Sequence, residues 1–220
     1  MRPSALRVKA AVKERRQEEK RIRREAILAA AKRVYSAKGF LAATIEDIAA
    51  EARVSVGTIY LYYQSKEDLY VSLLFESMEI FTRELTSILR SRRRPDRKLR
   101  EAWDFFHRFR REFPESYRVF FLLHHQRFPA AVPPATLREL NRRAGRNFAL
   151  AAAMVKEAME AGIYREGNPR EVVDLLWSMF LGLVHLSETR ENLGLGLTTL
   201  EGLHARAFEW LEAGLRRRSG

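Results

Sequence analysis

Hydroxyls, phenols and a lysine crowd into one short stretch of this 220-residue chain. Ser55, Val56, Gly57 and Thr58 stand in succession, followed by Tyr60, Tyr62 and Lys66, with Thr44 a short helix upstream. Such side chains suit hydrogen bonding to phosphate oxygens and base edges. Gly57 leaves room for close backbone approach, and Thr58 offers a hydroxyl and a methyl that can reach a base edge or a thymine methyl. Tyr60, Tyr62 and Lys66 can hold the phosphates that flank a groove. The frame around them reads as a short helix from Thr44 to Glu51, a tight turn over Ala52 to Val54, and a second short helix capped by Ser55. These are the dimensions of a helix-turn-helix, whose second helix enters the major groove by its amino end. Taken alone, Tyr60, Tyr62 and Lys66 fit an ordinary half-exposed helix face as well.

The charge distribution bears on the partner. A net charge of +12 and a pI near 10.3 point to phosphate polyanions or an anionic membrane surface. Residues 1–38 hold 13 Lys or Arg and four acids, so they carry most of the excess, while the other 182 residues read as nearly neutral. The basic character is then a local footprint of the amino-terminal part. That start is Arg-rich but has no apolar core of a signal sequence, and no apolar run approaches 18 residues, so the expectation is no membrane partner and a cytoplasmic location. With no cysteine, disulfides, thiolate metal sites and cysteine nucleophiles are excluded, and a reducing compartment is implied.

The elements that must position the constellation are helical almost throughout. Ile22, Ala26, Ile27, Ala30 and Val34 recur at helical spacing, as do apolar residues in 69–89, 102–109, 148–159 and 172–186. No alternating strand with a hairpin turn is visible. Breaks at Gly39, Arg53, Gln64, Ser91 to Pro95, Pro114, Pro129 to Pro134, Gly162 to Asn168 and Asn192 to Leu197 divide the chain into about nine or ten helices. Thr44 with Asp47, Ser65 with Asp68, and Thr198 with Glu201 are expected as capping boxes, and Asn168, Pro169 and Glu171 as a capped start with proline in the first turn.

The stretch from Ile27 to Leu74 contains Gly39-Phe40, the run Thr44 to Ala49, the run Val54 to Tyr63, and Lys66 to Leu69. In that order it closely resembles the DNA-binding domain of TetR-family transcriptional regulators. The resemblance implies an all-α fold: a three-helix helix-turn-helix domain followed by a larger helical domain for ligand binding and dimerisation. It also implies that Thr44 contacts a phosphate, that Ser55, Val56, Gly57 and Thr58 face the groove, and that Tyr60, Tyr62 and Lys66 hold the backbone. Val56 is apolar where many relatives carry a polar reader, which favours a thymine methyl contact. Tyr63 is expected to pack in the core, with Tyr35 and Phe40. Residues 1–21 form a basic extension, either a DNA-contacting arm or a solvated tail, 22–68 the DNA-binding domain, and 69–220 the helical remainder.

The carboxy-terminal two-thirds is rich in aromatics that can serve as core or collectively line an elongated apolar pocket. The residues expected there are Trp103, Phe106, Phe109, Phe120, Phe121 and Trp177. His107 and His185 can bind a ligand head group or be satisfied core histidines, the second reading being favoured, and adjacent His124 and His125 point too far apart on a helix to share a metal. No phosphate loop, nucleophile elbow or paired-histidine helix is present, so neither cofactor nor catalysis is expected. Pro169 to Arg190 and Thr199 to Arg218 are two amphipathic helices, with Ser178 and Gly182 permitting close approach at a helix crossing. In the family that the chain resembles, two such helices from each of two chains make a four-helix interface, which the resemblance implies here.

The resulting expectation is a homodimeric repressor on a pseudo-palindromic double-stranded DNA operator. Its expected effector is a small apolar molecule such as a fatty-acyl thioester, an aromatic catabolite or a drug. Two other classes stay open: a sequence-nonspecific nucleic-acid-binding structural protein, and a small helical enzyme using the aromatic interior.

Overall fold

The computed structural model describes residues 5–114, 117–118, 127–195 and 199–217, with side chains from Val12 onward except at Arg127. Among these residues the regular structure is helical: α1 (Ala5–Ala42), α2 (Ile45–Ala52), α3 (Val56–Tyr60), α4 (Lys66–Arg90), α5 (Pro95–Glu112), α6 (Arg127–Ala130), α7 (Pro134–Glu160), α8 (Pro169–Asn192) and α9 (Leu200–Leu215). The single extended pairing is an isolated bridge between Tyr164 and Arg216.

Local chemistry sets most of the boundaries. Thr44 and Asp47 close the expected capping box, Thr44 Oγ1 accepting from the Asp47 amide at 3.1 Å and Asp47 Oδ2 from the Thr44 amide at 3.0 Å. Gly39 interrupts α1 with φ 73° and ψ 165°, a conformation that side-chain-bearing residues rarely adopt, and so turns the chain toward α2. Arg53 ends α2 in the left-handed region, at φ 55° and ψ 45°, with its amide and that of Val54 returning to the last helical carbonyls.

Three expected caps differ from the sequence reading. At α4, Ser65 Oγ accepts from the Asp68 amide, but Asp68 takes the Gln64 amide rather than that of Ser65. The residue capping α9 is Thr199, whose hydroxyl accepts from the Gly202 amide at 3.3 Å, rather than Thr198, which lies outside the described residues. Both threonines precede the same helix, and backbone direction selects between them. At α8, Asn168 Oδ1 accepts from the Arg170 amide, but Glu171 takes the Asn168 side-chain amide rather than a backbone donor.

The chain divides into two compact units, residues 1–77 with 115–140 and residues 78–114 with 141–220. In the first, Ile27, Ala31 and Tyr35 of α1, Ile48 of α2, Ile59 of α3 and Leu69 and Leu74 of α4 are buried together with Tyr63. Tyr70 stacks edge-on against Tyr35 at 4.7 Å, and Phe40 meets Phe128 at 5.2 Å. Amino-terminal to this core, α1 continues as a helix whose side chains from Val12 to Ala26 are exposed, laced by Arg15–Glu19 and by Arg21 with Glu18 and Glu25.

In the second unit, Phe81, Leu85 and Ile88 of α4 pack with Ala102, Phe105 and Phe109 of α5 and Met154 of α7. Beside them Trp103, Phe180 and Phe208 join α5, α8 and α9. The α8 helix corrects one expectation: over Pro169–Asn192 it is long and apolar enough to cross a membrane, although a third of its most apolar window is buried inside the protein. Its apolar residues lie on more than one face, so no single unbroken run marks it in the sequence.

Candidate nucleic-acid interface

The short α3 helix is presented by its own buried side. Ile59 is fully buried and anchors it, while Val56 and Thr58 are half-buried and Gly57 and Tyr60 are exposed. Ser55 Oγ accepts from the Thr58 amide at 3.1 Å and stands 2.8 Å from Thr58 Oγ1. One hydroxyl proton joins that pair, so the other stays available to a base edge or phosphate, and the capping bond fixes where it starts from. Thr44 behaves alike: its oxygen accepts the Asp47 amide, leaving its O–H as a donor at the amino end of α2. Asp47 is held below the usual carboxylate range by the Lys38 ammonium at 2.6 Å and then by the Thr44 amide, so it stays charged and capping.

Lys66 is less free than its sequence position suggests. Its ammonium donates to the Leu41 carbonyl at 3.4 Å and sits 4.4 Å from the centre of the Phe40 ring, and burial lowers its pKa. It therefore braces the end of α1 while keeping donors for a phosphate. Tyr62 is half-buried. Tyr63 is a core residue: it is 1 % exposed, and Arg24 donates to its hydroxyl at 3.3 Å. Sequence reasoning missed Leu61, which is 76 % exposed beside Tyr60 and offers an apolar surface suited to thymine methyls. An exposed leucine between two tyrosines was its only signal.

Asp68 joins this segment to the rest of its unit. Only 6 % exposed, it accepts from the Gln64 amide at 2.9 Å and from the Thr136 hydroxyl at 2.6 Å, while its own amide is capped by Ser65 Oγ at 3.0 Å. The Ser65 hydroxyl in turn donates to the Ala131 carbonyl at 2.7 Å. The chain between α3 and α4 is thus tied at three points to α4 and to the α6–α7 turn.

In the second unit, the aromatic residues expected at a pocket form a continuous packed network. Phe106 contacts Phe81 at 4.9 Å, Trp177 at 5.6 Å and Phe180 at 5.7 Å, and Phe109 meets Phe81 at 4.9 Å. Trp103 is 1 % exposed and donates its indole N–H to the His204 carbonyl at 3.0 Å, which ties α5 to α9. Phe120, Phe121, His124 and His125 lie outside the described residues.

The histidine expectations need correction. His185 is exposed on α8 rather than in the core. His107 is mostly buried, its ring lies 4.8 Å from that of His204, and none of the four ring nitrogens has a hydrogen-bond partner among the described residues. The nearest carboxylates are Glu201, 3.9 Å from His107, and Asp104, 3.6 Å from His204. Burial first, and the neighbouring His204 next, depress the His107 pKa.

Two family models cover most of this architecture. Residues 27–73 match the model of bacterial regulatory proteins of the tetR family, and residues 99–211 match that of the tetracyclin repressor-like carboxy-terminal domain. The chain belongs to the TetR family. It is a transcriptional regulator with a helix-turn-helix domain and a helical carboxy-terminal domain.

Among curated TetR-type relatives, the repressor NicS of Pseudomonas putida is 34 % identical over 87 residues, or 38 % of this chain and 41 % of NicS. The regulator HbdR of Aromatoleum is 36 % identical over 63 residues, 29 % of this chain and 28 % of HbdR. The matches thus span well under two-thirds of either relative. The fold likeness is more extensive. The regulator FadR of Bacillus subtilis, solved with stearoyl-CoA, superposes with a TM-score of 0.68 at 21 % identity, covering 87 % of this chain and 99 % of that one.

Proposed function

We propose that this TetR-family protein is a homodimeric repressor that reads a pseudo-palindromic duplex and leaves it when a small apolar molecule binds the aromatic interior of the second unit. The observation that carries DNA recognition is the Ser55-capped α3 helix, buried by Ile59 and presenting Val56, Gly57, Thr58, Tyr60 and Leu61 outward within the segment matched to the family's DNA-binding model. Thr44, Tyr62 and Lys66 are assigned to phosphates. The regulator works where the chromosome is, in the cytoplasm.

Dimerisation is supported by an exposed stripe on α8 formed by Leu175, Ser178, Gly182 and Leu186, and by Trp210 on the packed neighbour α9, which is 77 % exposed. Leaving a tryptophan and two leucines in water is unfavourable by roughly 1.5–3 kcal/mol for each large side chain that burial would cover. A two-fold pairing of these helices covers them.

The effector class is supported by the aromatic network around Phe106, Phe109 and Trp177. Fatty-acyl thioesters are the first to test, since the FadR fold neighbour was solved with stearoyl-CoA. The α4 helix supplies a route for release because it begins directly after the recognition segment and contributes residues to both compact units. Ligand and operator must then oppose each other reciprocally, and a hundredfold loss of operator affinity requires about 2.7 kcal/mol of coupling.

Footprinting on genomic fragments followed by competition with random DNA tests the reading. A two-fold symmetric footprint that survives competitor at physiological salt is expected, whereas an asymmetric or sequence-indifferent footprint refutes it. Within that assay Thr58→Ala should relax base preference, and Lys66→Ala should weaken all sequences and lower the salt slope by about one unit.

A further inference from the structure

A second basic concentration lies far from the recognition segment in sequence. Between Arg90 and Arg100 seven of eleven residues are Lys or Arg against one acid, Asp96. The fold sorts these charges. Lys98 turns inward, 7 % exposed, and donates to Glu157 at 2.8 Å and to the Leu89 carbonyl at 2.7 Å, so it serves packing. Arg93, Arg94, Arg97 and Arg100, joined by Arg108, instead ring a groove of about 370 Å³ whose remaining walls are Glu101 and Asp104.

Both acids have neighbours, one of them a groove arginine. Glu101 pairs with Arg93 at 2.9 Å, and Asp104 stands 3.6 Å from the His204 ring. Arg94 pairs with buried Asp96 at 3.3 Å, and Arg100 reaches Glu209 at 3.6 Å. Arg97 and Arg108 are exposed, and neither has a carboxylate partner among the described residues. They are eleven residues apart on α5, three turns of one face, which places them about 16 Å apart along the axis. Two further features favour a flat group between them. The Arg100 guanidinium lies 4.6 Å over Phe208 and that of Arg108 lies 5.8 Å over Phe105. Each is thereby backed by an aromatic ring, and an arginine plane so backed is a platform on which a base can stack.

We infer that this groove binds a small phosphorylated anion of nucleotide size, with Arg97 and Arg108 holding its phosphates and Arg100 supporting its base. Guanidinium forks match phosphate oxygens two at a time, which a sulfate-like point contact does not exploit. The groove is shallow and largely open to solvent, and its length along α5 far exceeds a lone phosphate. A duplex or an acidic protein face calls for an unbroken run of free positive charge, whereas Glu101 and Asp104 interrupt these arginines and leave Arg97 and Arg108 as the two without a carboxylate partner among the described residues. The groove is lined wholly by residues outside the aromatic network, so the inference stands apart from the effector reading. A nucleotide can arrive free or as the head of a larger ligand, and the two sources present the same chemistry.

The test is calorimetric titration of the full-length protein with ADP, coenzyme A and inorganic phosphate at physiological salt. It is repeated on Arg97→Ala, Arg108→Ala, the double variant, and Arg143→Ala as a charge control outside the groove. Circular dichroism checks that all remain folded. ADP binding is expected to weaken about tenfold for either groove arginine and about hundredfold for both, with the control unchanged. Similar affinities for ADP and coenzyme A, both arginine-dependent, assign a free nucleotide; markedly tighter coenzyme A binding assigns the head of a larger ligand. The inference is overturned if neither nucleotide binds, if binding ignores Arg97 and Arg108, or if inorganic phosphate binds as well as ADP. Arginine-dependent binding of duplex DNA alone also overturns it.

Discussion

Replacing Asp68 with asparagine tests whether the connection between α3 and α4 depends on one buried carboxylate. The aspartate offers two acceptor oxygens, and each is used: Oδ2 takes the Gln64 amide at 2.9 Å and Oδ1 takes the Thr136 hydroxyl at 2.6 Å. An asparagine of the same shape has one acceptor oxygen and one NH2 group: the oxygen can keep the Gln64 amide and the NH2 can donate to the Thr136 hydroxyl, which turns to accept, so in a site only 6 % exposed both contacts survive but without their charge. A hydrogen bond to a charged group contributes about 1.5–3 kcal/mol, against about 0.5–1.5 kcal/mol for one between neutral groups. With two bonds so weakened, the expected loss on urea unfolding is about 1–3 kcal/mol, a substantial fraction of a typical domain stability of about 5–15 kcal/mol.

Thr136→Val removes the second donor while keeping the shape. In the double variant the asparagine NH2 faces valine and only the Gln64 bond remains; the Thr136 bond, counted in both single losses, is lost once, so the double loss should fall short of the sum of the single losses by about 1 kcal/mol. Operator binding should weaken for Asp68→Asn and for the double variant alike, because Gln64 closes the recognition segment. Additive losses, or a cost for Asp68→Asn below about 0.5 kcal/mol, would refute the assignment of this carboxylate as the tie.

Gly39→Ala should destabilise by about 1–3 kcal/mol in the same unfolding assay, from backbone strain alone, because a Cβ there meets nothing within 4 Å; a neutral substitution would mean that the turn relaxes freely. The folded-state pKa of His107 lies below its ordinary value of 6.5. The unfolded chain therefore takes up the proton first, and the stability His107 contributes is present above about pH 6.5 and lost as pH falls toward its folded value. His107→Phe should flatten the decline in urea midpoint between pH 7.5 and pH 5, and an unaltered slope would refute this role for His107. Gly182→Leu fits the single chain, where a Cβ meets nothing within 4 Å, so light scattering should find a helical monomer; an intact dimer would remove this face of α8 from the interface.

Short-range chemistry made several elements legible in the sequence. The Thr44–Asp47 box, the Ser55 and Ser65 caps and the stop at Arg53 are decided within a few residues of backbone, and each occurs where the residues placed it. The TetR-type run from Ile27 to Leu74 was legible for the same reason, since its order encodes a compact unit of local turns. The family resemblance likewise separated Tyr63, turned into the core, from Tyr60, turned out.

Long-range neighbours decided the rest. Lys66 reads as a free phosphate ligand until the end of α1 arrives beside it, and Asp68 reads as a simple cap until Thr136, 68 residues later, completes its environment. His107 finds His204, and His185 faces outward, because helix packing assigns faces that spacing alone leaves equivalent. Averaging charge over 182 residues concealed the arginines of 90–108, and only the fold turned Lys98 inward while ringing a groove with its neighbours. Caps and turns are settled by the adjacent backbone, whereas burial, charge pairing and cavities depend on which distant segments meet. The sequence by itself therefore determined the helices and the recognition segment of this protein, and the tertiary structure decided which of its polar groups remain free to bind.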